Sequence, residues 1–291
     1  MANKIGSGFS LNGKNIHLIK EDNFQTNPIQ VNKVIKMGGK KIAYLMYTQF
    51  SQGFDQELNS VFSEFKSEGV DELILDLRYN RGGLTKTALY LSGMITGQFT
   101  GQIFSQKIWN KKVTDYYESI DSTDWMKDLF VSEMDDKTVI NSLNLNRVYI
   151  ITSSNSASAS EIVAGAIQDL DRGVVIGQNT FGKGLVQHMY DLNDTITLKI
   201  TTSKYYLPSG RLIQKQDYLD NGFLTDGLDK VDSLFTTKGG REVKGGNGIV
   251  PDIKTERNIL SPYVQELWRQ GVFLSFAASY VPFNKDLKTP V

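Results

Sequence analysis

Apolar positions recur along the middle of the chain with two alternating periods. The run Ile42-Ala-Tyr-Leu-Met-Tyr47 predicts a strand. Phe54, Leu58, Val61, Phe62 and Phe65 then fall at three- and four-residue spacing, which is one face of a helix, and Gly69 stands where that helix should stop. Leu73-Ile-Leu-Asp-Leu77 predicts a buried strand. Asn80-Arg-Gly-Gly83 breaks it before a helix that carries Ala88, Leu89, Leu91 and Met94. Strand, helix, strand, glycine-rich turn and helix is the rhythm of a parallel α/β sheet.

The rhythm lapses between about Gly97 and Asn146. That stretch holds Phe99, Phe104, Trp109, Tyr116, Tyr117, Trp125 and Phe130, too many aromatics for a disordered linker. It reads as an insertion with its own small core, or as a lid over a binding cleft. The pattern resumes at Val148-Tyr-Ile-Ile151, with a serine-rich turn and a helix whose apolar face is Ile162, Val163, Ala166, Ile167 and Leu170. Strand Val174-Val-Ile176 follows, then a glycine-bounded loop, then an extended run through Leu192. Thr195 to Thr201 alternates as a half-buried strand would, and Leu207-Pro-Ser-Gly210 turns it. Residues 215–250 are loop-rich, and Ser261-Pro262 is an N-cap with a first-turn proline. Residues 1–35 are polar, with one alternating piece at Ile16-His-Leu-Ile19. No internal repeat is visible.

With 291 residues, 40% of them apolar, the chain can bury a core without a disulfide or metal. Thirty-two basic residues balance thirty-two acidic ones, so no basic field attracts a phosphate backbone and nucleic acid is excluded as the main partner. Absence of cysteine removes thiol catalysis, iron–sulfur clusters and thiolate zinc sites. Two histidines, His17 and His188, are too few for a multi-histidine metal site, and no metal or organic cofactor is implied. The longest apolar stretch, 272–281, is half of the ~20 residues a membrane span needs. Oligomeric state is not readable from the sequence.

Gly177-Gln-Asn-Thr-Phe-Gly-Lys-Gly184 nearly spells a phosphate-binding loop and follows a strand as such a loop should. Gly184 replaces the magnesium-binding hydroxyl, however, and Leu185-Val-Gln-His-Met-Tyr190 reads as strand where the phosphate-binding helix should begin. Ser156-Ala-Ser-Ala-Ser160-Glu161 lies between a buried strand and a helix, where unpaired N–H groups would stabilise an oxyanion. Ser158-Ala-Ser-Glu161 is equally a capping box, and pattern alone leaves both readings open.

A serine nucleophile needs a base. His17 sits in a polar segment far away and His188 stands alone in a strand, the usual placing of a structural histidine. The remaining choice is a lysine whose pKa falls from ~10.4 on burial. Lys183 fits best: glycines flank it, and Phe181, Leu185 and Val186 could desolvate it. In an extended segment Gln187 shares its face and His188 does not.

These residues resemble the C-terminal processing peptidases, or tail-specific proteases, which use a Ser–Lys dyad. Ser156 to Asp169, followed by Gly177 to Gln187 with Phe-Gly-Lys-Gly at its centre, is similar to their paired signature. The resemblance implies Ser158 as nucleophile and Lys183, twenty-five residues on, as general base. It implies Gln187 as the support of that lysine and leaves Asp169 with a less certain role. Leu75 to Gly83 looks like the family's oxyanion turn, so N–H groups near Gly82, Gly83 and Ala159 would hold the oxyanion. Lys204 to Arg211 and Gly248 to Asp252 are similar to later signatures, and the resemblance runs from about residue 38 to 255.

The implied fold is α/β, a crotonase/Clp-protease-like core of crossed βαβ units with added strands and an inserted aromatic segment. The implied layout is a lead-in at 1–35, a peptidase core at 36–255 with 97–146 as insertion or lid, and a C-terminal helix and tail at 256–291. The implied function is endopeptidase action on unfolded or C-terminally tagged proteins in the periplasm or cell envelope. The alternative is a non-catalytic binding module on the same scaffold. Family members usually carry a PDZ domain and an export signal ahead of the core. Neither is visible in residues 1–35, so the expectation is a core that cleaves slowly and is indifferent to amidation of a peptide's C-terminus.

Overall fold

The computed structural model describes residues 2–5, 8–11, 25–215, 233–256, 261–273 and 275–276. The alternating piece at 16–19, His17 with it, and part of the apolar run at 272–281 lie outside them. Strands β1 (Ala2–Ile5) and β2 (Gly8–Leu11) form a separate hairpin.

The main sheet begins with β3 (Ile29–Met37) and β4 (Lys40–Tyr47), which pair antiparallel. Helix α1 (Asp55–Glu68) follows, with Leu58, Val61, Phe62 and Phe65 buried as their spacing predicts. It ends at Gly69 in the left-handed region at φ 65°, whose N–H caps the Phe65 and Lys66 carbonyls. Strand β5 (Glu72–Asp76), helix α2 (Thr85–Ile95), strand β6 (Ile103–Trp109), helix α3 (Lys111–Ser119) and strand β7 (Lys127–Leu129) come next. Strand β8 (Arg147–Thr152), helix α4 (Ala159–Asp169) and strand β9 (Val174–Gly177) restore the α/β rhythm. The chain continues through β10 (Leu185–Asn193), β11 (Ile196–Tyr206), β12 (Leu234–Thr236), β13 (Glu242–Lys244), β14 (Ile253–Lys254) and α5 (Pro262–Arg269).

Six strands in the order β14-β9-β8-β5-β4-β3 make the central sheet, parallel except for β3. From β4 the chain steps through β5, β8 and β9 in one direction. Right-handed crossovers in one direction put their helices on one face of a sheet. Helix α2 accordingly packs between α1 and α4. Ala43, Leu45, Leu73, Leu75, Val148 and Ile150 are closed off, whereas Tyr44, Ile74, Tyr149 and Ile151 on the alternate positions are only half-buried. Within α4, Ile162, Val163, Ala166 and Ile167 are fully buried, each contributing about 1.5–3 kcal/mol for the larger side chains.

The aromatic segment at 97–146 divides. Phe104, Phe130, Met134, Ile140, Leu143 and Leu145 join the main core. Trp109, Tyr117 and Trp125 instead form an edge-to-face cluster of their own at its outer rim. Strands β6 and β7 add to a second sheet in the order β10-β11-β6-β7. The outer part of its β10–β11 hairpin is exposed on both faces. Residues 196–200 are therefore not the half-buried strand their alternation predicts, because the sheet outruns the body that would cover one face.

Candidate active site

Three turns meet at the carboxyl ends of three adjacent parallel strands. Residues 77–84 follow β5, residues 153–158 follow β8 and residues 178–184 follow β9. Open α/β sheets gather their ligands at that end.

The three alternating serines have separate roles. Ser156 is fully buried, donating to the Leu77 carbonyl at 2.8 Å and accepting from the Ser153 N–H at 3.0 Å. Ser160 is also fully buried and donates to the Asn80 carbonyl at 2.9 Å. Both fasten the β8 turn to the β5 turn. Ser158, between them, is half-exposed and sits at φ 57°, ψ −118°, a region that a non-glycine residue rarely occupies. Such a conformation costs on the order of 1–3 kcal/mol and persists only where surrounding bonds impose it.

Glu161 imposes it. Its carboxylate is fully buried, and each oxygen takes two donors. Oε2 accepts the N–H of Ser158 at 2.8 Å and the N–H of Lys183 at 2.8 Å. Oε1 accepts the Gly182 N–H at 2.6 Å and the Thr180 hydroxyl at 2.5 Å. Burial pushes the Glu161 carboxyl up, against the pull of these bonds. The capping box read from the sequence is thus present. Its glutamate also reaches beyond its own helix, so one oxygen joins the backbones of Ser158 and Lys183. The same contacts answer the phosphate-loop reading, since the Gly182 and Lys183 N–H groups already hold a carboxylate and β10 follows.

Asn80, fully buried and not singled out from the sequence, joins the other two turns. Its carbonyl accepts the Ala157 N–H, its amide donates to the Tyr47 carbonyl, and its Oδ1 accepts the Gly82 N–H at 2.8 Å. Gly82 is therefore not a free donor, although the resemblance implies it among the oxyanion N–H groups. It matters by its lack of a side chain: at φ 97°, a Cβ there would stand 2.8 Å from the Ser158 Cβ. Among the described residues, no acceptor takes the N–H of Gly83 or Ala159. Asp76, at the end of β5, is buried against the Arg78 guanidinium and the Tyr44 hydroxyl. Burial alone would raise its carboxyl, yet those partners hold it below the usual carboxylate range.

Lys183 lines a cleft of about 890 Å³ together with Leu185 and Gln187, as their shared parity requires. The expectation that Phe181, Leu185 and Val186 desolvate it needs correction: Lys183 is exposed, and Phe181 is 55% exposed. The loop turns its 182 and 183 N–H groups inward to Glu161, which leaves the Phe181 and Lys183 side chains in solvent. His188 does not line this cleft. Its ring stacks on Trp109 at 5.7 Å and its Nδ1 pairs with the Thr202 hydroxyl at 2.7 Å.

Asp169 lies at the far end of α4, in a fully buried ion pair with Arg211 at 2.8 Å. Arg211 also donates to Gln168 Oε1 and the Lys244 carbonyl, and Gln168 reaches Val250 and Asp252. The 204–211 and 248–252 segments thus close over α4 structurally. Removing one partner of such a pair typically costs about 3–5 kcal/mol.

Comparison with known proteins bears on this arrangement. A family model described as peptidase family S41 matches residues 41–223. A carboxyl-terminal-processing protease of Picosynechococcus is 29% identical over 222 residues, covering 74% of this chain and 48% of that protein. A tail-specific protease of Haemophilus influenzae is 33% identical over 183 residues, covering 60% of this chain and 23% of that protein. The chain thus spans about half or less of the length of these relatives. The solved photosystem II D1 C-terminal processing protease shares the fold at a TM-score of 0.53 and 22% identity, over 84% of this chain and 52% of that one.

Proposed function

The chain belongs to peptidase family S41, and on that premise we propose that it is a serine endopeptidase that cleaves unfolded or C-terminally tagged proteins through an acyl-enzyme on Ser158. The observation that carries this reading is the strained Ser158 backbone, tied through one Glu161 oxygen to the backbone of Lys183. In this reading the Lys183 amine takes the Ser158 hydroxyl proton as Oγ attacks the scissile carbonyl. Lys183 then returns the proton to the departing amine, and water releases the acyl group by the reverse roles. The free N–H groups of Gly83 and Ala159 hold the oxyanion, and one such donor is worth ~10²–10³ in rate. A bound peptide would lie over Phe181 and supply the desolvation of Lys183 that the open cleft lacks. Gln187 orients the Lys183 amine from the same face of β10. The same proposal places the one-sided sheet in the crotonase/Clp-protease group, takes 36–255 as the catalytic core and sets the protein in the cell envelope.

Exposure of Lys183 is the one observation that favours a non-catalytic binding module instead. A fluorophosphonate probe separates the two readings. We expect one phosphonyl group per chain, mapped to Ser158 and absent from Ser158→Ala. A folded chain that leaves Ser158 unlabelled would be a binding module.

A further inference from the structure

The cleft beside Lys183 has a charge bias that the chain as a whole lacks. Among the described residues, Lys183, Lys199 and Lys215 line it, with Gln187, Gln214 and Asn247, and no Asp or Glu does. Over the whole sequence acidic and basic residues are equal in number. Lys183 is assigned above to proton transfer, and Lys215 has an interaction of its own. Lys199 is different. It stands on β11 opposite Met189 of β10, two positions along from the Gln187–Thr201 pair. That register puts its side chain on the Gln187 face, roughly 7 Å farther along the hairpin. Among the described residues, no carboxylate comes within ion-pair distance of its ammonium. Asp191, on the same face, is instead held by the Thr197 hydroxyl at 2.7 Å.

We propose that this cleft reads a carboxylate of the peptide, with Lys199 as the specificity-determining contact. The proposal rests on the peptidase reading for what the cleft holds. The carboxylate is either the chain terminus or an Asp or Glu side chain, since both present the same two anionic oxygens. A peptide lying along β10 from Ser158 outward would bring such a group over Lys199, with the cleft's amides to complete its hydrogen bonds. This runs against the indifference to amidation expected from residues 1–35. With Lys183 given to proton transfer and Lys215 to its own partner, the single exposed lysine–carboxylate pair at Lys199 sets the scale, about twofold to fivefold in affinity, or about 0.4–1 kcal/mol.

Binding to the Ser158→Ala chain tests this independently of catalysis. One fluorescent, unstructured ten-residue peptide is made in three forms: neutral with an amidated end, the same with an interior Asp, and the same with a free C-terminal acid. Affinities are read by anisotropy. At least one acidic form should bind about twofold to fivefold more tightly than the neutral one, and which form does so identifies the source of the carboxylate. Lys199→Gln in the same background should remove most of that ratio, and Lys199→Glu should invert it. In 1 M salt, where the screening length falls to ~3 Å, the ratio should shrink in the Ser158→Ala parent. Equal affinities, no binding by any form, or a ratio that survives Lys199→Glu would overturn the proposal. A wild-type chain that shows this preference yet hydrolyses nothing would sink the peptidase reading and leave this one standing.

Discussion

Lys183→Ala should lower turnover of an unstructured polypeptide by at least about 10³-fold, and by nearly the same factor as Ser158→Ala. The double variant should lose scarcely more, because a nucleophile without its base and a base without its nucleophile are equally idle. Folding is not the cause of that loss. The Lys183 N–H, not its side chain, ties the loop to Glu161, and the side chain is exposed. Truncation there should shift stability by no more than about 0.5 kcal/mol. The check is kcat for the two single variants and the double, with Tm measured alongside. Near-normal turnover by Lys183→Ala would remove it as the base.

Glu161→Gln should reduce kcat by about 10²-fold while leaving KM for a peptide nearly unchanged. A glutamine offers one accepting oxygen and an NH₂ group that meets two donors head-on. Either the Ser158 and Lys183 N–H groups or the Gly182 N–H and Thr180 hydroxyl lose their acceptor. Each buried group so orphaned costs about 1–3 kcal/mol, and a shift of about 1 Å in the reacting atoms is enough for a 10²-fold loss. Glu161 touches no substrate in this account; it is a positioning residue. A merely structural role would lower Tm and the folded fraction but leave the labelling rate of Ser158 per folded chain unchanged. We expect that rate to fall with kcat. Full activity in a folded Glu161→Gln chain would show that something else holds Ser158 in its strained backbone.

Local chemistry made the α/β body legible. The spacing of Leu58, Val61, Phe62 and Phe65 and the position of Gly69 are signals carried within one helix, and α1 forms and ends where they predict. The paired motifs around Ser158 and Lys183 were legible by resemblance, and the structure brings their backbones onto one oxygen. What the sequence hid depends on distant partners. Glu161 reads as the close of a capping box, and nothing local tells that it also binds a loop nineteen to twenty-two residues on. Asn80 reads as a turn former, although its fully buried side chain joins β4 to the glycine turn. The exposure of Lys183 is not legible from its apolar neighbours, because the inward turn of the backbone sends Phe181 out. The β10–β11 hairpin shows the same limit. Alternation sets which residues share a face, not whether anything covers it.

The acyl-enzyme can be seen directly. An activated ester, mixed with the wild-type chain and quenched in acid within the first turnover, should release one leaving group per chain in a burst. The acyl mass should then be found on the peptide that contains Ser158, and both burst and mass should vanish in Ser158→Ala. A burst that persists in Ser158→Ala, or an acyl group on any other residue, would contradict the account.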